Sequence, residues 1–292
     1  MKDNELVGGK RRYLFLLPAF IAYSAIIIAP AFYSFYLSFF KWNGIAAKKI
    51  FVGFSNYTNL ITKDETFQIA IKNNVIWVIL TIVFTICISL LFAMLINRQF
   101  QGRTLLRAVL YFPFVLSTVI VAITWAWVYQ PQLGLFNGIM NLLGLPQFTK
   151  SWLADIDSAF FAVFVASCWH NIGSPMILFL AGLQTIPKEL YEAAVMDGAN
   201  KVQTFLHITI PRLHETFVIV GATQIISALK VYDLIRTMTN GGPANQTQTV
   251  ATYMVTQSFT YANVGIGSAM AWILVFVLMI IVIPYIIFMA KE

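Results

Sequence analysis

Residues 190–213 read LYEAAVMDGANKVQTFLHITIPRL, a polar and helix-forming stretch in a 292-residue chain that is 59% hydrophobic and only 11% charged. Apolar sequence resumes on both sides of it. A mean hydropathy of +0.76 lies outside the range of soluble domains, and so do 25 Phe and 12 Tyr, which places the chain in a membrane. A net charge of +7 would point to nucleic acid in a soluble protein. Here Lys and Arg flanking membrane spans account for it, and no nucleic-acid partner is expected. Cys87 and Cys168 both fall in apolar runs and read as small buried hydrophobes.

A helix needs about 20 apolar residues to cross a bilayer, where every backbone N–H and C=O must be satisfied internally. Six stretches qualify: 13–40, 75–96, 108–129, 159–183, 216–236 and 264–288. The fold expected is therefore all-α, one polytopic membrane domain over residues 1–292. The first run follows Lys10, Arg11 and Arg12 and imitates a signal peptide, but it is too long for one and is expected to remain as a span. With the N-terminus inside, cytoplasmic segments hold Lys2, Lys10, Arg11, Arg12, Arg98, Arg103, Arg107, Lys188, Lys201, Arg212 and Lys291. Six of the seven arginines are in that set, so both termini are expected in the cytoplasm. Outside, 130–157 carries LGLFNGIMNLLGLPQF, which suits a short interfacial helix, and TNGGP at 239–243 is a turn signal.

On this topology the quoted segment is cytoplasmic, between the fourth and fifth spans. Pro187 suits a first helical turn, Glu189 and Glu192 complement a helix N-terminus, and Gly198 can release the chain from helical geometry. KVQTFLHI then resumes an amphipathic pattern with Val202, Phe205 and Leu206 on one side, until Pro211 stops or kinks it. A helix, a turn and a second helix over 187–213 is more than a connection requires. A solvated hairpin that only links two spans has the same shape.

Glu192-Ala193-Ala194, three residues, Gly198, nine residues, then Ile208, Ile210 and Pro211 resembles the EAA loop of binding-protein-dependent ABC importer permeases. The usual ending is I-x-L-P, and this chain has Ile-Thr-Ile-Pro. AGLQTIP at 181–187, Asp197-Gly198-Ala199, Tyr232-Asp233, TNGGP, FVGFSNYTNL at 51–60, GLFNGIM at 134–140 and SWLAD at 151–155 are similar to the carbohydrate-uptake, maltose-permease-like branch. The resemblance implies that Glu192, Ala193, Ala194, Asp197, Gly198, Ile208 and Pro211 belong to a coupling helix loop that docks in a cleft of a separate ATPase. Glu192 would meet a basic partner there, and the small alanines would let the helix lie close. It further implies a second homologous permease, two ATPase subunits, an extracytoplasmic solute-binding protein and a bacterial cytoplasmic membrane, with surrounding lipid. The chain has no G-x-x-x-x-G-K-[ST] loop, so ATP and Mg would belong to the partner ATPases, with no cofactor and no catalytic role in this chain.

A solute path should show as polar side chains on one helical face. Ser167, His170, Asn171 and Ser174 fall at i, i+3, i+4 and i+7 in the fourth span, with Trp169 beside them. Gln224, Ser227 and Val231 share a face in the fifth, with Ala228 and Lys230 near, and Phe114, Thr118 and Trp125 do so in the third. The resemblance places a sugar against these three spans. Such residues also hydrogen-bond between packed spans.

Asp and Glu are missing from the first four spans and the sixth, and Asp233 is expected near the outer end of the fifth, which disfavours an ion-coupled secondary transporter. No catalytic cluster points to a membrane enzyme, and no arginine pair is placed to hold glycerol phosphate. A polyol or glycerol phosphate is the alternative to a carbohydrate, in particular an oligosaccharide.

Overall fold

A computed structural model describes residues 11–289. Lys2, Lys10 and Lys291, on which part of the expected topology rests, lie outside the described residues. In chain order the elements are α1 (Phe15–Leu37), β1 (Phe40–Lys41), β2 (Ile50–Phe51), α2 (Ser55–Thr62) and α3 (Glu65–Asn97). Next come α4 (Arg103–Val115), α5 (Thr118–Val128), α6 (Leu135–Leu142), α7 (Ala159–Asn171), α8 (Gly173–Thr185) and α9 (Lys188–Met196). The chain closes with α10 (Lys201–Thr204), α11 (His214–Leu229), α12 (Asp233–Met238), α13 (Val250–Val255) and α14 (Val264–Met289).

Helix dominates, as expected; β1 and β2 are only a two-residue antiparallel pair, Phe40 opposite Phe51. Among the described residues α1, α3, the His214–Met238 stretch and α14 are each long and apolar enough to cross a membrane. Two bent pairs bring the number to six if each pair is one crossing: α4 with α5, bent by 101°, and α7 with α8, bent by 42°. The second span is longer than expected, 33 residues beginning at Glu65, because Asp64 caps its start by accepting from the Phe67 N–H.

The third expected span is therefore not one rod. Leu116 and Ser117 are extended, with ψ of 149° and 134°, so the helical face does not carry from α4 into α5. The fourth bends at Ile172 because Pro175 has no N–H to give the Asn171 carbonyl. Gly173 lies at this bend, where an added Cβ would come within 3.1 Å of Tyr111 Cα and 3.2 Å of the Leu110 carbonyl oxygen. α4 and the bend approach each other only because that position has no side chain.

Two compact units make up the chain. Among the described residues the first joins 11–63 to 254–273, and in it the buried Asn56 amide donates to the Ser38 and Phe40 carbonyls, fixing α2 on the end of α1. The second, residues 64–253 and 274–292, holds most of the core. At one end Trp77 packs edge-on to Phe160 and Phe164, beside Val121, Val163, Leu234 and Ile235. At the other, Ile96, Phe179, Leu183, Ile186 and Leu213 form a cluster that Leu106, Tyr191, Phe205 and Ile208 complete. The second cluster puts the 187–213 segment at the same end as the α3–α4 connection that carries Arg98 and Arg103. Much apolar surface stays uncovered, as in Phe15, 88% exposed, and Ile280, 71% exposed, which is costly in water and ordinary against lipid or a partner span.

Candidate functional site

Within the second unit a cleft of about 290 Å³ opens between α3, α5, α7 and the region where α11 gives way to α12. Of the residues singled out in sequence, Thr118, Ser167, His170, Asn171, Gln224, Ser227, Ala228, Lys230 and Val231 line it together. Phe114, Trp169 and Ser174 do not. Phe114 sits in α4 with its ring 6.3 Å from that of His170. Ser174 falls past the Ile172 bend, which ends the i to i+7 stripe after Asn171. Trp169 turns away to meet Trp125 at 5.8 Å, in a separate apolar groove. The helical stripe holds for Ser167, His170 and Asn171 in α7; it is lost across each break, and within α5 Trp125 falls in the groove rather than in the cleft that Thr118 lines.

Three lining residues come from α3 and were passed over: Trp77, Thr81 and Thr85. Their signal was present, since Asn73, Trp77, Thr81, Thr85 and Ser89 recur every four residues along an otherwise apolar span. Tyr232 and Asp233 also line the cleft. Asp233 was expected merely near the outer end of its span, so the lining does carry a carboxylate, three residues from Lys230. Both are exposed, and among the described residues neither belongs to an ion pair.

The backbone at each break around the cleft is met by a side chain from elsewhere in the fold. His170 Nε2 lies 3.2 Å from the Leu116 carbonyl, which can only accept, so Nε2 carries the proton and Nδ1, buried and unpaired, is an acceptor. Ser89 Oγ lies 2.6 Å from the Thr85 carbonyl of its own helix and 2.9 Å from the Ile172 carbonyl, which also accepts from the Met176 N–H. Asn74 Nδ2 donates at 2.9 Å to the Leu229 carbonyl while its Oδ1 accepts from the Val250 N–H at 2.8 Å. Thr249 Oγ1 adds a bond of 3.0 Å to the Val231 carbonyl. Asn171 Nδ2 is engaged by its own helix through Ser167 O at 2.9 Å, whereas its Oδ1 has no such bond. The cleft thus offers mostly neutral donors and acceptors beside aromatic rings, with one cation and one anion at the α11–α12 break.

Residues 187–213 form a helix, a turn and a second helix. Asp197 ends α9, and Gly198 makes the turn at φ +77°, a left-handed conformation that side chains resist. Asn200 and Gln203 then cap α10 reciprocally. The second helix runs through a π turn, Phe205–Thr209, into Ile210–Arg212 and ends one residue after Pro211. Glu192, Ala193, Asp197, Gly198 and Pro211 are exposed. Ala194 is buried within this chain, and Ile208 packs on the cluster of Ile96 and Leu183. Phe205 also packs inward, so the expected face of Val202, Phe205 and Leu206 is split. Val195, Met196, Val202 and Leu206 are left uncovered, Met196 at 86%. Cys87, expected to be buried, is exposed on α3.

Residues 85–291 match the family described as binding-protein-dependent transport system inner membrane component. The trehalose/maltose transport system permease protein MalF of Thermococcus litoralis is 35% identical over 287 residues, 95% of each chain. The sulfoquinovosyl glycerol transport system permease protein SmoG of Agrobacterium fabrum is 34% identical over 261 residues, 88% of this chain and 83% of the relative. A chain in the crystal structure of a bacterial ABC transporter involved in the import of the acidic polysaccharide alginate superposes with a TM-score of 0.82 at 23% identity, covering 96% of this chain and 94% of that one. Matched along most of its length by both sequence and fold, the chain belongs to the binding-protein-dependent transport system inner membrane components, the membrane-spanning permease subunits of ABC importers.

Proposed function

We propose that the chain passes a carbohydrate, in particular an oligosaccharide, inward through the cleft at the α11–α12 break. The observation that carries this reading is the lining itself: Thr81, Thr118, Ser167, Asn171, Gln224 and Ser227 present hydroxyls and amides beside Trp77 and Tyr232. Sugar hydroxyls need such neutral partners. A phosphorylated polyol fits less well, since Lys230 is the cleft's single cation and Asp233 lies beside it. At about 290 Å³ the cleft is at the small end of ligand sites, so a second homologous permease is assigned the facing wall. Relatives named for trehalose and maltose and for sulfoquinovosyl glycerol support the same substrate class.

Residues 187–213 are assigned to docking on ATPase subunits that hold ATP and Mg, with no catalysis in this chain. Apolar Val195, Met196, Val202 and Leu206 stand uncovered on an otherwise polar segment, as a protein-binding surface would. An extracytoplasmic binding protein delivers solute at the opposite end, and both termini are cytoplasmic. Labelling of Lys201→Cys by a membrane-impermeant thiol reagent in intact cells would overturn that orientation. The solute assignment is tested by Gln224→Leu in the assembled complex. Removing the amide leaves a sugar hydroxyl unpaired, at about 1–3 kcal/mol or roughly one to two orders of magnitude in uptake. Basal ATP hydrolysis should hardly change, and Asn171→Leu should cost less because its amide nitrogen already serves Ser167. Normal uptake by Gln224→Leu refutes the assignment.

A further inference from the structure

The groove that takes Trp169 away from the cleft is larger than the cleft, about 600 Å³, and its walls are apolar: Leu80, Phe84, Ile88 and Phe92 of α3 face Val109 and Pro113 of α4 and Phe161 and Val165 of α7. Leu80 to Phe92 spans about 18 Å at 1.5 Å per residue. One leaflet's share of a hydrocarbon core of about 30 Å is similar. A spanning helix, with a diameter of about 10 Å, would fill 600 Å³ with little more than one turn, so it does not fit inside. A hydrocarbon chain does.

Charge gathers at the Phe92–Val109 end. Arg98 caps α3, and Arg103, Arg107 and Leu110 recur on α4 at i, i+4 and i+7, one stripe that ends on the groove lining. Arg107 Nε is buried without a hydrogen-bond partner. None of the three arginines forms an ion pair among the described residues, and no acidic residue occurs between Glu65 and Asp155 in the sequence. A buried guanidinium N–H left open is costly and calls for an acceptor.

We propose that this groove and its arginines hold one anionic phospholipid, with the phosphate on Arg107 and Arg103 and an acyl chain along α3. Two features at one place are accounted for together: an apolar slot of leaflet length and an unneutralised cationic end. The test uses the purified transporter complex, delipidated and retitrated with phosphatidylglycerol or phosphatidylcholine while bound lipid is counted by native mass spectrometry. Phosphatidylglycerol should bind at least tenfold tighter. Arg107→Gln should weaken it about fivefold, and Arg103→Gln added to it about fivefold more, since a basic side chain contributes about 1 kcal/mol toward anionic lipid. Arg107→Lys should lose less than Arg107→Gln. A photoreactive side chain at Val109 should crosslink to lipid. Equal binding of the two lipids by the wild-type complex, which needs no variant to fold, overturns the proposal. So does full displacement by inorganic phosphate, which would make it a phosphate site alone, and so does crosslinking of Val109 to the second permease or the ATPase.

Discussion

Asn74→Leu is the sharpest perturbation the structure offers, because it keeps side-chain size and deletes two hydrogen bonds at once. Asn74 is 3% exposed and joins the Leu229 carbonyl, at the end of α11, to the Val250 N–H, at the start of α13. Hydrogen bonds between membrane helices average only about 0.6 kcal/mol, because a freed group usually finds another partner. These two groups lie at helix ends and have no partner within their own helices, so the cost of an unmade bond, about 1–3 kcal/mol each, is the better guide. Water from the neighbouring cleft tempers that, which leaves about 2 kcal/mol in total, or roughly a 30-fold loss of local protection. Hydrogen exchange of the assembled complex should show the Val250 amide and residues 230–233 opening about 30-fold faster, with solute affinity falling because Lys230, Val231 and Tyr232 all hang on this break. Asn74→Asp keeps the acceptor for Val250 while losing the donor to Leu229, and should spare Val250 relative to Asn74→Leu. Wild-type exchange at Val250 in Asn74→Leu would refute the reasoning.

If the proposed docking on an ATPase pairs Glu192 with a basic residue, Glu192→Lys should leave insertion into the membrane intact and break coupling, since breaking a covered ion pair costs about 3–5 kcal/mol; solute-stimulated ATP hydrolysis at the wild-type level in an assembled complex would sink that role. In the 130–158 loop, Lys150 Nζ at 2.7 Å and Ser158 Oγ at 2.8 Å both donate to the Asp155 carboxylate, and these bonds hold its pKa below the usual carboxylate range. A depressed carboxylate contributes stability above its unfolded pKa and loses it as pH falls through the folded value. The indole N–H resonance of Trp152, which packs under Lys150 and bonds Asn137, should therefore titrate with a midpoint below the usual carboxylate range and cease to do so in Asp155→Asn. A midpoint at or above that range contradicts the assignment.

Hydropathy and the positions of proline and glycine made the helices legible, and local caps made the 187–213 hairpin legible, because those signals act within a few residues. What the sequence concealed was where helices bend. Phe114 and Thr118 share a face only while the helix between them is unbroken, and the local signals of a break, Pro113 and the N-cap residue Ser117, are weak within so apolar a run. The carbonyl that the break leaves open at Leu116 is met by His170, 54 residues away. Ala194 likewise reads as one of two equivalent alanines until the return of the second helix covers it. The Thr81 and Thr85 stripe was readable by the same period that found Ser167 and His170.

His170 and Asn74 each mend a break in a neighbouring helix, and this divides the polar residues of the membrane domain into joinery and furnishing. Someone wishing to retune which solute the permease accepts should leave the joinery alone, since changing it moves walls rather than contacts. Gln224, Ser227, Thr118 and Tyr232 line the cleft without holding any of those breaks. On the solute path proposed above, they are the positions at which substitutions should alter contacts while leaving the breaks in place, with coupling between them because they share one cleft.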